Sequence, residues 1–256
     1  MILLIDIGNT NTVLGLARNQ TIVWSWRIET AKNRTEDEYG VILQGLFDQA
    51  GVDPSSIEGA VVSSVVPGLN KPYRKVCRRI TGEEPLFVGP GIRTGMPILL
   101  DNPREVGADR IVNAVAAYTQ YGGPVLVLDF GTAATFDVVS EEGAYLGGAI
   151  CPGPAMSINA LARKASQLYR VEVDRAERVI GKNTAECIRA GIYFGYLGQI
   201  EGIVRKMAEE LGAMPRVVAT GGMAELFAVD NPLIDVVDRE LTLKGLQIIY
   251  DRNRKE

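Results

Sequence analysis

Ile5-Asp6-Ile7-Gly8-Asn9-Thr10-Asn11-Thr12-Val13 follows the apolar run Met1 to Leu4, and Leu128-Asp129-Phe130-Gly131-Thr132-Ala133-Ala134-Thr135-Phe136 follows the apolar run Val125 to Val127. Asp6 and Asp129, Gly8 and Gly131, and Thr12 and Thr135 recur at one common offset, close to half the chain. Taken singly, Gly-Asn between apolar strands is an ordinary hairpin turn. Taken together, the two phrases predict a duplicated unit with two equivalent turns facing one cleft. Freed backbone N–H groups and Thr hydroxyls at such turns donate to phosphate oxygens where a larger side chain would block approach. The aspartates repel phosphate, so each implies a cation or water between, and Mg²⁺ held partly by phosphate oxygens is the usual arrangement. The expectation is a nucleoside triphosphate held with its metal.

Working outward, Met1 to Ile5, Val13 to Ala17 and Thr21 to Ile28 read as a three-strand meander. A helix follows over Thr35 to Ala50, with Thr35 and Glu38 as a capping box and Gly51 as its stop. Gly59 to Ser63 is a short buried strand, Leu69 to Thr81 a helix and Pro85 to Val88 another strand. Gly89 to Pro103, rich in Gly and Pro, reads as a loop over the cleft or a crossing between halves. Asp109 to Tyr121 reads as a helix. The second half opens with a strand from Pro124 and a returning strand over Thr135 to Val139. After the Gly-rich stretch Gly147 to Pro154 come a helix from Ala155 to Leu168 and a longer one from Asn183 to near Gly212. A strand, Arg216 to Ala219, runs into Thr220-Gly221-Gly222, and Leu241 to Asn253 is a closing helix. Strands followed by helices, twice over, predict two α/β layers, cut as 1–118 and 119–256.

The 256 residues carry a net charge of −4, 46% apolar and 23% charged side chains, an ordinary balance for a globular chain. A pI near 5.2 argues against a nucleic-acid-coating surface, which needs excess Lys and Arg. Cys77, Cys151 and Cys187 are odd in number and far apart, so neither a disulfide framework nor a metal-binding CxxC is indicated, and a reducing cytoplasm suits them. No apolar stretch approaches the roughly 20 residues that span a bilayer, and Asp6 interrupts the first apolar run, which therefore reads as a strand rather than a leader.

Histidine is absent, which removes the usual neutral-pH base and the Ser/His and Cys/His nucleophile pairs. Proton transfer then falls to a carboxylate, Lys, Tyr or Cys. Asp109 is the candidate: it follows a Gly/Pro-rich loop, and Arg110 beside it suits an anionic substrate. The plainer alternative is that Asp109 only complements the positive end of a helix dipole. Gly221 and Gly222 at a strand's carboxyl end make either a tight turn or a flat bed for an adenosine-like group. The P-loop pattern is absent, and Pro97 spoils a dinucleotide fingerprint after Gly89-Pro90-Gly91. Gly191, Gly195, Gly198 and Gly202, spaced along one helix, each cost about 0.5–1 kcal/mol against Ala. Close helix packing would offset this, either within the chain or across a symmetric dimer.

In this order Asp6 to Thr12, Asp101-Asn102-Pro103 with Glu105 to Arg110, Asp129 to Ala133, Gly147 to Ile150 with Pro152-Gly153, and Thr220-Gly221-Gly222 resemble the successive motifs of the type III pantothenate kinases. The resemblance implies two ribonuclease H-like domains of the acetate and sugar kinase, Hsp70 and actin superfamily, with a nucleotide cleft between them. It also implies ATP-dependent phosphorylation of pantothenate at its 4′-hydroxyl, the first step of coenzyme A synthesis. Carried over, Asp6, Ile7, Gly8, Asn9, Thr10, Asn11, Thr12 and Val13 would form the first phosphate turn, with Asp6 reaching Mg²⁺ through water. Gly131, Thr132, Gly221 and Gly222 would contact ATP. Gly107, Ala108, Asp109 and Arg110 would line the pantothenate site, with Asp109 the proton acceptor. Asp129 would bind an activating K⁺ or NH₄⁺, Thr184 would touch substrate, and the usual assembly is a cytoplasmic homodimer. Leu100 stands where that family usually carries an aromatic, which concerns one polar contact to substrate. The rival expectations are a non-catalytic regulator on the same fold and a sugar or acyl kinase of the wider superfamily.

Overall fold

The computed structural model describes residues 1–165 and 168–254, which divide into two compact units. The first comprises Met1–Met96, Asp101–Ala116 and the C-terminal segment from Glu240; the second comprises Pro97–Leu100 and Ala117–Arg239.

In the first unit β1 (Ile2–Ile7), β2 (Asn11–Arg18) and β3 (Thr21–Glu29) form the antiparallel meander, and β4 (Gly59–Ser64) and β5 (Leu86–Phe87) add parallel strands in the order β3-β2-β1-β4-β5. β1 is near-continuously apolar because helices cover both faces of the sheet. On one face Leu3, Ile5, Ile7, Leu14 and Val62 pack against α1 (Glu36–Ala50) and α2 (Pro67–Thr81). The capping box is present: the backbone N–H of Thr35 donates to Glu38 Oε2 at 2.7 Å, that of Glu38 to Thr35 Oγ1 at 3.4 Å, and Gly51 closes the helix at φ 65°. α2 begins two residues earlier than its periodicity suggests, because Pro67 occupies the first turn, where the missing N–H costs nothing.

The opposite face carries α7 (Leu241–Asn253). Leu243 fills the space a Cβ would need at Gly15, and Tyr250 fills that at Gly59. The C-terminal helix thus belongs to the first unit, and the halves are not the two continuous stretches, 1–118 and 119–256, that the repeat suggests. α3 (Ala108–Tyr121) contributes its first nine residues to the first unit and its last five to the second.

The second unit repeats the plan. β6 (Val125–Phe130), β7 (Ala133–Val139) and β8 (Tyr145–Pro152) make the meander, and β9 (Arg216–Gly221) and β10 (Val236–Val237) add in parallel, giving β10-β9-β6-β7-β8. Leu126, Leu128, Phe130, Phe136 and Val217 pack against α5 (Thr184–Leu211) and the short α6 (Ala224–Ala228) through Tyr193, Tyr196 and Phe227. β8 takes up most of the Gly-rich stretch, to which the sequence reading assigned no element: it pairs with β7 along its length, and residues 97–99 pair with its outer edge through Leu99 N to Tyr145 O at 2.9 Å. α4 (Pro154–Lys164) stops where Ala165 turns extended, short of the expected end at Leu168, and that expected tail crosses 166–167, outside the described residues. α5 is capped as read, with the Glu186 N–H donating to Asn183 Oδ1 at 2.9 Å and Gly212 left-handed at its end.

Candidate active site

At the first turn the chain leaves β1 after Ile7, and the Gly8 N–H donates to Asn11 O at 3.1 Å. Asn9, Thr10 and Asn11 are exposed, while Ile7 and Thr12 point into the core. The Thr12 and Thr30 hydroxyls are hydrogen-bonded at 2.9 Å, and the Thr30 N–H holds Thr10 O at 3.0 Å. Thr12 therefore braces the turn from beneath, and what it or Ile7 offers a ligand is backbone. Asp6 is half-buried on the other face of the sheet, in register with Val13 on one side and Ser63 on the other.

Asp109 lies in the same unit, in the first turn of α3. Its Oδ1 accepts the Arg110 N–H at 2.8 Å. A Cβ on Gly107 would stand 2.5 Å from that same oxygen and 3.8 Å from Val65, just beyond the carboxyl end of β4. Gly107 thus leaves the carboxylate room to sit there, and the strand ends of β1 and β4 are where parallel sheets offer their ligand sites. Burial raises the Asp109 carboxyl above its ordinary value, opposed by the Arg110 N–H and the Arg110 charge. Asp109 itself is half-buried, and a carboxyl raised by burial occurs at functional and structural positions alike.

In the second unit the Gly131 N–H donates to Ala133 O and the Gly153 N–H to Thr132 O, both at 3.0 Å. Asp129 pairs with Thr220 on β9, and its Oδ1 lies 2.5 Å from where a Cβ on Gly221 would stand. Gly221 has φ 89°, and such a Cβ would also meet Phe130 N and O at 2.7 Å, so both conformation and space demand glycine. Gly222, next in the chain, is exposed. Behind this turn Asp137 is buried, accepting from Tyr145 at 2.6 Å and Thr135 at 2.9 Å. Leu100 lies against Gly147 of β8. Thr184, the first residue of α5, lines a cavity of about 690 Å³ with Lys182, Asn183, Cys187 and the apolar Leu161 and Ile192.

Asp6 and Gly107 to Arg110 are therefore gathered in the first unit, while Leu100, Asp129, Gly131, Thr132, Thr184, Gly221 and Gly222 belong to the second. Sequence reading passed over Ser63, the polar residue closing the apolar run from Gly59 and the neighbour of Asp6 in the ladder. Its signal, a serine ending a buried strand, is shared by many strands with no site. The α5 glycines resolve one choice: a Cβ on Gly191, Gly195, Gly198 or Gly202 would meet nothing within 4 Å, so close packing inside the chain does not account for them. Among the described residues no three acidic or Cys side chains gather into a ready-made metal cage, and no helix is long and apolar enough to cross a membrane.

Comparison with known proteins adds an independent line. The solved structure of a Campylobacter jejuni protein assigned to the Baf family of transcriptional activators superposes with a TM-score of 0.63, covering 98% of each chain at 20% identity, a likeness of fold alone. The type III pantothenate kinase of Myxococcus xanthus is 53% identical over 99% of both chains, and that of Anaeromyxobacter sp. strain K is 52% identical over 99% of this chain and all of its own. The family model described as type III pantothenate kinase matches residues 2–206. Two five-stranded sheets of one topology, a half-buried carboxylate in the first turn of α3, and 52–53% identity over almost the whole length agree: the chain belongs to the type III pantothenate kinase family.

Proposed function

We propose that this protein transfers the γ-phosphoryl group of ATP to the 4′-hydroxyl of pantothenate, opening coenzyme A synthesis, and that Asp109 is the proton acceptor. The observation that carries the mechanism is the half-buried Asp109 carboxylate beside the end of β4, given room by Gly107, in a chain without histidine. As the hydroxyl oxygen attacks γ-phosphorus, the bond to the bridging oxygen breaks and ADP leaves. The hydroxyl proton passes to Asp109, a transfer contributing roughly 10²–10⁴ in rate. A carboxyl raised by burial is a stronger base than an ordinary one.

The remaining assignments belong to the same reading. Asp6 to Val13 hold phosphate through the first turn, and Gly131, Thr132, Gly221 and Gly222 contact nucleotide. Gly107, Ala108, Arg110 and Thr184 line the pantothenate site with Leu100, Arg110 taking the pantothenate carboxylate. A lone carboxylate at each turn suits Mg²⁺ kept mostly by phosphate and water oxygens rather than by an all-protein cage. Bound there beside Asp6, Mg²⁺ would neutralise charge on the triphosphate. Near Asp129 the Phe130 carbonyl adds a second oxygen, a donor type that suits K⁺ or NH₄⁺. The open glycine face of α5 suits a homodimer, the two ribonuclease H-like domains divide near residue 118 with the C-terminal helix returning to the first, and the cytoplasm is the compartment.

The purified protein should form ADP only with pantothenate and a monovalent cation present. In a panel of alcohol and carboxylate acceptors, turnover with a sugar or acyl substrate instead would move the protein to the wider kinase superfamily.

A further inference from the structure

Ser63 ends the apolar run of β4, is fully buried, and its hydroxyl has no hydrogen-bond partner. Buried hydroxyls nearly always find one, and a buried serine without one is worse for folding than alanine would be. Ser63 and Asp6 are direct partners in the parallel β1–β4 ladder, so their side chains leave the sheet side by side. That face is the opposite one from Ile5, Ile7 and Val62, which pack toward α1 and α2. A serine hydroxyl crosses between staggered wells easily, and directly opposed ladder partners on one face are close enough for their side chains to interact. The Gly107–Asp109 corner lies just past the end of the same strand, against Val65.

We propose that Ser63 is a positioning residue for phosphoryl transfer: its hydroxyl donates to the Asp6 carboxylate when Asp6 turns toward the metal-bound triphosphate, and so fixes its orientation. This rests on the reading of Asp6 given above. An acceptor-only carboxylate facing a cation tolerates rotation unless a donor holds its second oxygen, and Ser63 is the fully buried hydroxyl in register with it. The hydroxyl is thus kept in reserve by the free protein and used by the loaded one.

Equilibrium binding without acceptor separates this from a structural role. Affinities of wild type and Ser63→Ala are measured for Mg²⁺-ATP, for ATP in EDTA and for pantothenate, alongside thermal unfolding. The expected result is Mg²⁺-ATP binding weakened about 10-fold, in line with loss of a hydrogen bond to a charged group. Metal-free ATP and pantothenate should bind as before, and Tm should be unchanged or higher. Unaltered Mg²⁺-ATP affinity, or equal weakening toward all three ligands with a lower Tm, overturns the proposal. Ser63→Cys, similar in size but a weak donor, should fall between the two, and wild-type behaviour from it also counts against the idea. If wild type itself binds ATP no better with Mg²⁺ than without, the assignment of Asp6 fails first, which sets that failure apart from failure of Ser63.

Discussion

The two Asp-x-Gly turns look like copies and are not quite. Asp6 pairs with Val13 across its hairpin, whereas Asp129 pairs with Thr135, so the second hairpin closes one residue sooner. A one-residue slip sends a side chain to the other face of the sheet. Thr12 and Thr135, matched in the written phrase, therefore point opposite ways. Thr12 sits beneath its turn, joined to Thr30, while Thr135 shares the face of Asp129 and donates to the buried Asp137. The surroundings diverge too: the first turn shares its unit with the half-buried Asp109, and the second is crowded by Gly221, the last residue of β9. The difference matches the division of labour proposed above, with proton transfer assigned to the first unit and cation and nucleotide binding to the second turn.

The sharpest way to break that division is Asp109→Asn. We expect kcat to fall roughly 10²–10⁴-fold with ligand affinities largely kept, as seen by steady-state kinetics and calorimetry. Near-normal turnover would return Asp109 to the status of a helix-dipole partner. The acid limb of kcat/KM should lie above the range of an ordinary carboxylate, since burial raises this group, and should vanish in the variant. Stability runs the other way. A carboxyl that titrates higher folded than unfolded binds more protons in the folded state between those values, so its contribution is lost as pH rises through that window.

Gly221→Ala tests the second turn. A Cβ there meets Asp129 and Phe130 at a left-handed φ, so a loss of about 1–3 kcal/mol in unfolding free energy is expected, with weaker monovalent-cation activation. Thr135→Val should remove about 1.5–3 kcal/mol, the worth of a donor to a buried carboxylate, and Thr12→Val only about 1 kcal/mol, that of a neutral pair. Equal losses in urea titrations would mean that the slipped register has no energetic consequence. The smallest expected effect is at Gly198→Ala, which should raise helix stability by about 0.5–1 kcal/mol if α5 remains exposed. We expect instead a shift toward monomer in sedimentation experiments, the signature of a glycine face packed against a second copy.

Much of this was readable beforehand, wherever the signal was local. Apolar runs ending in Asp-x-Gly, the box at Thr35 and Glu38, and the cap at Asn183 each depend on residues a few positions apart, and each is where it was expected. β8 was not readable. Gly147 and Gly148 look like loop residues, yet Gly148 is needed because the Phe136 carbonyl lies where its Cβ would be, a contact between strands. α7 misled similarly: Leu243, Leu246 and Ile249 make an inward stripe that fits any sheet, and only the room at Gly15 and Gly59 selects the first.

The amino-acid order alone determined the duplicated α/β plan, the two carboxylate-bearing turns and the absence of histidine that makes a carboxylate the candidate base. These follow from periodicity, turn chemistry and composition, which act over a few residues. Tertiary structure alone decided that Asp109 is buried enough to be raised, that Thr12 and Thr135 part company, and that Ser63 stands beside Asp6. Burial, register and neighbours across a sheet are properties of strands brought together from distant parts of the chain, and no local pattern carries them.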